Sequence, residues 1–168
     1  MEKRRSIIIA LVAVVAMCAF VFFMSDRPSG ESSAMSEAVA QFLIQLFVPD
    51  FSQMDAASQK ALMDSLHHIV RKLAHFSEYA VLGMLAVNLA RRIRDLRGTP
   101  SPLACALAAW AGSTLYAVTD EIHQIFVPGR ACMATDVLID SAGVATGILI
   151  FLGIAALRTR KCTKIPQG

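Results

Sequence analysis

Charged and aromatic residues are scarce in this 168-residue sequence. Only 17% of the residues are charged and 7% are aromatic, with a single tryptophan and two tyrosines. Soluble domains contain about 25% charged residues, so this composition excludes an ordinary soluble enzyme. With nine glycines and so few aromatic residues, a porin-type barrel of short alternating strands is not expected either.

Disulfide and zinc-binding patterns are also missing. The four cysteines are isolated from one another, and no C-x-x-C pair is present. Cys18 and Cys105 lie in apolar runs, Cys162 lies near the C-terminal end, and only Cys132 falls in a segment predicted below to face outward. We therefore expect no disulfide, no thiolate-bound zinc and no other cofactor.

Apolar residues, by contrast, make up 55% of the chain, and the mean hydropathy is +0.54. They form long runs at residues 7–24, 98–119 and 137–157, and a fourth run at 73–90 carries polar residues in its first turns. A transmembrane helix needs about 17–25 mostly apolar residues. These blocks exclude a disordered tail and predict an all-α membrane protein, a bundle of four transmembrane helices.

The first run is predicted to be an uncleaved anchor rather than a signal peptide. It is longer than the roughly 7–15 apolar residues of a signal peptide, and no small-x-small cleavage site follows it. We therefore divide the chain into an N-terminal transmembrane anchor (1–24), an extracytoplasmic loop (25–70), a three-helix core (71–157) and a basic cytoplasmic tail (158–168).

The basic residues predict the orientation of the bundle. Eleven of the 16 lie in three segments that four spans place on one side of the membrane, where only two acids oppose them. Lys and Arg accumulate in cytoplasmic loops, so both termini are predicted to be cytoplasmic. Because these residues are split among three short segments, a nucleic-acid-binding surface is not expected. The eleven residues are Lys3, Arg4, Arg5, Arg91, Arg92, Arg94, Arg97, Arg158, Arg160, Lys161 and Lys164.

The long outer loop is predicted to contain an amphipathic helix. Apolar residues repeat with helical spacing over residues 36–48, with Ser36 as a candidate N-cap and Pro49 after the end. This helix is expected either to lie in the outer leaflet interface or to cover the bundle. A second helical pattern begins near Asp55 and is expected to continue into the second span. The repeating apolar residues are Val39, Phe42, Leu43, Leu46 and Phe47.

Polar and charged residues gather at one end of three spans, the end predicted to face outward. A charge at mid-bilayer costs about 2.5–3.5 kcal/mol by insertion scales, so such residues usually face a bundle interior or a wet cavity and form pairs. We expect Arg130 and Lys72 to pair with Glu78 and Asp140. The candidate ligand-binding residues are Lys72, His75, Glu78, Tyr79, Glu121, Gln124, Arg130, Asp136 and Asp140.

Structural roles compete with a binding site. A group of residues near water is expected to pin helices together or to be solvated. That group is Asp120, His67, His68 and Lys60. His75, Glu78, Glu121 and Asp136 have donor types that suit a divalent ion, but without an H-E-x-x-H motif no metal site is expected.

Small residues form stripes on two of the spans. Ala104, Ala108 and Gly112 step by four in the third span, and Gly143 and Gly147 form a G-x-x-x-G in the fourth. Such stripes let helix backbones approach closely. We expect them to pack helices within the chain rather than to form a dimer, and the sequence leaves the oligomeric state open.

Three spaced motifs occur in order along the last three spans. They are Lys72-x-x-His75-x-x-Glu78-Tyr79, Asp120-Glu121-x-x-Gln124-x-Phe126-x-Pro128-Gly129-Arg130 and Asp136-x-x-x-Asp140-x-x-Gly143. Over roughly residues 70–150 they resemble the VanZ-like family, small bacterial membrane proteins named after a teicoplanin-resistance protein. Asp140 stands where that family pattern more often has asparagine. The resemblance implies a bacterial cytoplasmic membrane protein and reduced susceptibility to teicoplanin-type lipoglycopeptides.

Three hypotheses for the function follow. In the first, the polar residues bind an amphiphile or a lipid head group at the outer leaflet, which gives teicoplanin tolerance. In the second, the protein is a membrane-embedded enzyme that modifies a lipid-linked or cell-wall precursor. His75 or Glu121 is then the general base, Arg130 stabilises negative charge, and Glu78 is a further catalytic candidate. In the third, the polar residues are structural only, and the lipid bilayer is the partner.

Overall fold

The computed structural model describes residues 1–26, 29–98, 101–128 and 132–162, without the side chains of 29–33 and 159–162. Within these ranges the fold is entirely helical and contains no strand. The five helices are α1 (Glu2–Ser25), α2 (Ser29–Phe47), α3 (Ala56–Arg97), α4 (Pro102–Gln124) and α5 (Ala134–Cys162). By length and composition, α1, α3, α4 and the Ala134–Arg158 part of α5 can each cross a membrane. The predicted all-α fold with four spans is confirmed.

Local sequence signals mark where the long helices begin and end. Asp55 caps α3, because its carboxylate accepts hydrogen bonds from the backbone N–H groups of Ala57 (3.0 Å) and Ser58 (3.1 Å) and from the Ser58 hydroxyl (2.6 Å). The Ser58 side chain and these backbone groups lower the pKa of the Asp55 carboxyl. Gly98 ends α3 with a left-handed φ of 70°, and its N–H donates to the Arg94 carbonyl.

The helix in the loop, α2, begins seven residues earlier than predicted. It starts at Ser29, so Ser36 lies inside the helix and is buried, and its predicted role as the N-cap is wrong. The face formed by Ser36, Ala40 and Ile44 is buried, and α2 packs against α3. The predicted apolar face is largely exposed, with Phe42 62% accessible. The side of α2 that packs on the bundle is therefore the Ser36–Ala40–Ile44 side, and most of the predicted apolar repeat lies outside it.

The longest helix, α3, is the centre of the fold. Its 42 residues span about 63 Å, twice the roughly 30 Å of a hydrocarbon layer. It packs against each of the other four helices, and most extensively against α5. It is therefore longer than a single span requires, and it also packs against α2.

Glycines allow the close approach of α3 and α5. A Cβ added at Gly147 would lie 2.7 Å from the carbonyl carbon of Ala80, and one added at Gly83 would lie 3.0 Å from the Cα of Val144. The expected packing role of the fourth span's G-x-x-x-G is confirmed. Gly112 of α4 does not lie at a close helix contact, because a Cβ added there would have nothing within 4 Å. It lines an apolar crevice of about 280 Å³ between α1, α3 and α4.

The ends of the bundle differ in charge. Arg92 of α3 contacts the Ser6 hydroxyl of α1, and the Arg91 guanidinium lies 5.5 Å from the ring centre of Phe151 in α5. These contacts bring the basic N-terminal segment, the basic end of α3 and the last turns of α5 together. We call this the basic end. The opposite end, marked by Ser25, Tyr79 and Asp120, is called the polar end.

Candidate functional site

The Asp120 carboxylate ties three helices together at the polar end. The Ser25 hydroxyl of α1 donates to its Oδ2 at 2.7 Å, and the Tyr79 hydroxyl of α3 donates to the same oxygen at 3.3 Å. Asp120 is only 3% exposed. The expectation that it lies near water is therefore wrong, because Ser25 and Tyr79 cover it. Its expected role in pinning helices fits these contacts.

Two further residues of α4 connect to α1. The Tyr116 hydroxyl donates to the backbone carbonyl of Cys18 at 2.6 Å. His123 Nε2 lies 3.2 Å from the Asp26 carboxylate, and its ring lies 4.6 Å from the ring of Phe22. Polar residues of α4 are thus joined to the end of α1, a partner that the sequence patterns did not indicate.

An ion pair joins α3 to α5. Lys72 Nζ lies 3.1 Å from the Asp136 carboxylate, and both side chains are about one quarter exposed. The sequence predicted that Lys72 pairs with Glu78 or Asp140. Asp136 takes that place because it lies one turn closer than Asp140 to the start of α5, level with the Lys72 side chain. The Thr114 and Ser141 hydroxyls, 3.2 Å apart, join α4 to α5.

Two carboxylates lie deep in the polar end. Glu121 is 2% exposed and Asp140 is 3% exposed. Glu121 Oε2 and Asp140 Oδ1 have no hydrogen-bond partner among the described residues. Asp140 interacts electrostatically with the acids Asp120, Glu121, Asp136 and Glu78. Unpaired buried carboxylate oxygens are costly, so this acidic cluster opposes the stability of the bundle.

The candidate residues of α3 face two directions. Tyr79 points into the bundle towards Asp120, and Lys72 points towards α5. His75 and Glu78 instead line a pocket of about 140 Å³ between the end of α1, α2 and α3. Its remaining lining residues are Met24, Met35, Ser36, Val39, Val70, Arg71 and Ala74. The sequence predicted the polar residues of α3 but not that α2 forms the other wall.

Gln124 and Arg130 are the remaining candidate residues. Gln124 is buried, and its side chain approaches the Asp120 carboxylate. Arg130 lies outside the described residues. In the described part of the chain, no group of three or more His, Cys, Asp and Glu side chains is arranged to hold a metal ion. Arg71, which the sequence patterns did not single out, lines the pocket. It lies four residues before His75, so helical spacing alone would have placed it on that face.

Comparison with known proteins identifies a family. A protein-family model described as VanZ/LLP1 matches residues 10–157. The match is longer than the region of the three motifs, and it includes α2 and most of α1. No curated protein and no solved structure matches the chain. Because the family match covers far more than half of its length, the chain belongs to the VanZ/LLP1 family.

Proposed function

We propose that this protein spans the bacterial cytoplasmic membrane and binds the head group of an amphiphile at the outer leaflet. The observation that carries the proposal is the pocket between α2 and α3. There the motif residues His75 and Glu78 stand beside the apolar side chains of Met35 and Val39. A small-molecule site of this kind combines apolar walls with a few polar groups. The other candidate residues stay part of the proposed binding region at the polar end, where contacts of Lys72, Tyr79 and Asp136 also hold together the helices that form the pocket. The remaining candidates are Glu121, Gln124, Arg130 and Asp140.

The orientation is part of the proposal. The basic end is assigned to the cytoplasm, because Lys and Arg accumulate there in membrane proteins. The polar end and α2 then face outward. The exposed apolar face of α2, which includes Phe42 and Leu46, inserts into the outer leaflet interface beside the pocket.

The size of the pocket favours a lipid over a whole antibiotic as the ligand. Pockets for drug-sized molecules measure about 300–1,000 Å³. The pocket of about 140 Å³ accommodates a head group but not a glycopeptide. Tolerance to teicoplanin-type lipoglycopeptides would then follow from binding a lipid or lipid-linked molecule of the envelope.

The orientation is tested by cysteine labelling. Two single-cysteine variants retain either Cys132 or Cys162, with the other cysteines changed to serine. An impermeant thiol reagent should label the Cys132 variant in intact cells and the Cys162 variant only after permeabilisation. Labelling of Cys162 alone in intact cells would reverse the assignment.

The binding function is tested by filling the pocket. Ala74 is an exposed residue that lines the pocket, so Ala74→Trp should block it. The matched control is Leu73→Trp, because Leu73 is exposed on the adjacent position but does not line the pocket. The Ala74→Trp variant should lose lipid that co-purifies in native mass spectrometry and should lose teicoplanin tolerance. Equal lipid retention by both variants at equal folded yield would exclude this pocket.

A membrane-embedded enzyme is the second candidate, because His75 lines the pocket and a general base must reach its substrate. Lipids from cells that express the wild-type protein and cells that do not would be compared by mass spectrometry. A new or depleted precursor would support catalysis, and an unchanged profile would support binding. Glu121→Gln and Arg130→Lys variants with normal yield but no phenotype would exclude a purely structural role.

A further inference from the structure

The Arg71 side chain is a cation without a matching acid in the described chain. It lies on α3, is partly buried and lines the pocket between α2 and α3. Its neighbour Lys72 is neutralised by Asp136 at 3.1 Å. Arg71 takes part in none of the ion pairs among the described residues. Arg71 interacts electrostatically with the Glu121 carboxylate but forms no ion pair with it.

A guanidinium that has no ion-pair partner among the described residues is suited to an anionic ligand. It carries five N–H donors, and leaving them partly desolvated without acceptors is costly. The apolar side chains that line the pocket offer few hydrogen-bond acceptors to it. They are Met24, Met35, Val39 and Val70. The planar fork of arginine matches phosphate with two parallel hydrogen bonds, which lysine cannot reproduce.

The position of Glu78 in the same pocket limits where an anion can bind. Seven residues separate Arg71 from Glu78, which is about 10.5 Å along a helix. An anion therefore has room at the Arg71 end, away from the carboxylate. The pocket volume of about 140 Å³ leaves room there for a small head group.

We propose that Arg71 binds the phosphate group of an anionic amphiphile seated between α2 and α3, with its acyl chain along the exposed apolar face of α2. This assignment rests on the proposed function and names the ligand class of the same pocket. It adds a recognition residue outside the three motifs. Phosphatidylglycerol is the natural probe, and inorganic phosphate tests whether the head group alone is sufficient.

The experiment measures lipid preference in the full-length protein. Wild type is placed in nanodiscs of equal parts phosphatidylglycerol and phosphatidylcholine, and the lipids that stay bound are counted by native mass spectrometry. Wild type should retain mostly phosphatidylglycerol. Arg71→Gln should lower that preference by about tenfold or more, as expected for a lost charge-assisted pair. Arg71→Lys should retain part of it, and Lys60→Gln, on the exposed part of α3, should leave it unchanged.

The outcomes separate the two proposals. An unchanged preference in a folded Arg71→Gln protein overturns the role of Arg71, while loss of bound lipid in Ala74→Trp keeps the proposed function. Full lipid retention by Ala74→Trp overturns both. Arg71-dependent binding of inorganic phosphate, with no enrichment of phosphatidylglycerol, overturns the lipid as the source of the phosphate. Enrichment that disappears with Arg71→Gln supports the assignment.

Discussion

Replacing Gly147 by alanine is expected to disrupt the packing of α3 against α5. The new Cβ would lie 2.7 Å from the carbonyl carbon of Ala80, and closer still to its oxygen. Ordinary van der Waals contact begins at 3.4 Å, so the distance to the carbon alone must grow from 2.7 to at least 3.4 Å, and clearing the oxygen requires a larger shift. The obstacle is backbone, so no side-chain rotation relieves the clash.

The magnitude follows from the cost of overpacking. Extra methyl groups in a well-packed interior cost about 1–3 kcal/mol. Alanine also favours a helix over glycine by about 1 kcal/mol, and this contribution must be cancelled by a control. Gly112→Ala and Gly153→Ala supply that control, because a Cβ at either position meets nothing within 4 Å. Relative to them, Gly147→Ala should lower the free energy of unfolding by about 1–3 kcal/mol.

The assay is equilibrium unfolding of the purified protein in mixed micelles of a mild detergent and SDS, followed by helical circular dichroism. Gly147→Ala should unfold at a lower SDS fraction than wild type, and the two control variants at the same or a higher fraction. If Gly147→Ala and Gly112→Ala unfold together, the close contact between α3 and α5 is refuted.

Three further predictions concern single polar groups. Asp120→Ala should lower the thermal stability in detergent more than Tyr79→Phe, because it removes both hydrogen bonds to Asp120 rather than one; equal losses would contradict the shared role of this carboxylate. Folding lowers the pKa of the Asp55 carboxyl, so the charged cap stabilises α3 fully above the usual carboxyl pKa, and this stabilisation is lost as the pH falls through the lowered pKa. Helicity measured against pH should therefore fall in that range in wild type but not in Asp55→Asn. The single variant Lys72→Met should be less stable than the double variant Lys72→Met with Asp136→Leu, because the single change leaves the Asp136 carboxylate without its partner. A double-mutant cycle measures the difference.

The span pattern could be predicted because it depends on local composition. Runs of about 20 apolar residues are sufficient to identify the helices, and the caps at Asp55 and Gly98 depend on residues within one or two turns. The start of α2 could not be predicted in this way. Its first turns are small and polar, with no aliphatic repeat to mark them, and its packed face uses Ser36 and Ala40, which carry a weak hydrophobic signal.

The sequence predicts which residues lie at the polar end, but not which of them contact each other. Spacing places residues on a helix face, but the rotation of each helix about its axis depends on tertiary packing. Ser25 and Asp120 are 95 residues apart, and Lys72 and Asp136 are 64 apart. No local pattern connects such positions. Helical spacing could have placed Arg71 on the His75 face, but no local pattern indicates that α2 lies beside that face.

The contacts of α1 argue that it belongs to the working unit of the protein rather than acting only as an anchor. Val21 and Ser25 are fully buried, and Ser25 supplies the shortest hydrogen bond to Asp120. The Cys18 carbonyl accepts the hydroxyl proton of Tyr116. Without these groups, a buried carboxylate and a phenol would lose partners inside the bundle, at a cost typical of unsatisfied buried groups. The family match that begins at residue 10 agrees with this view, because it extends over most of α1.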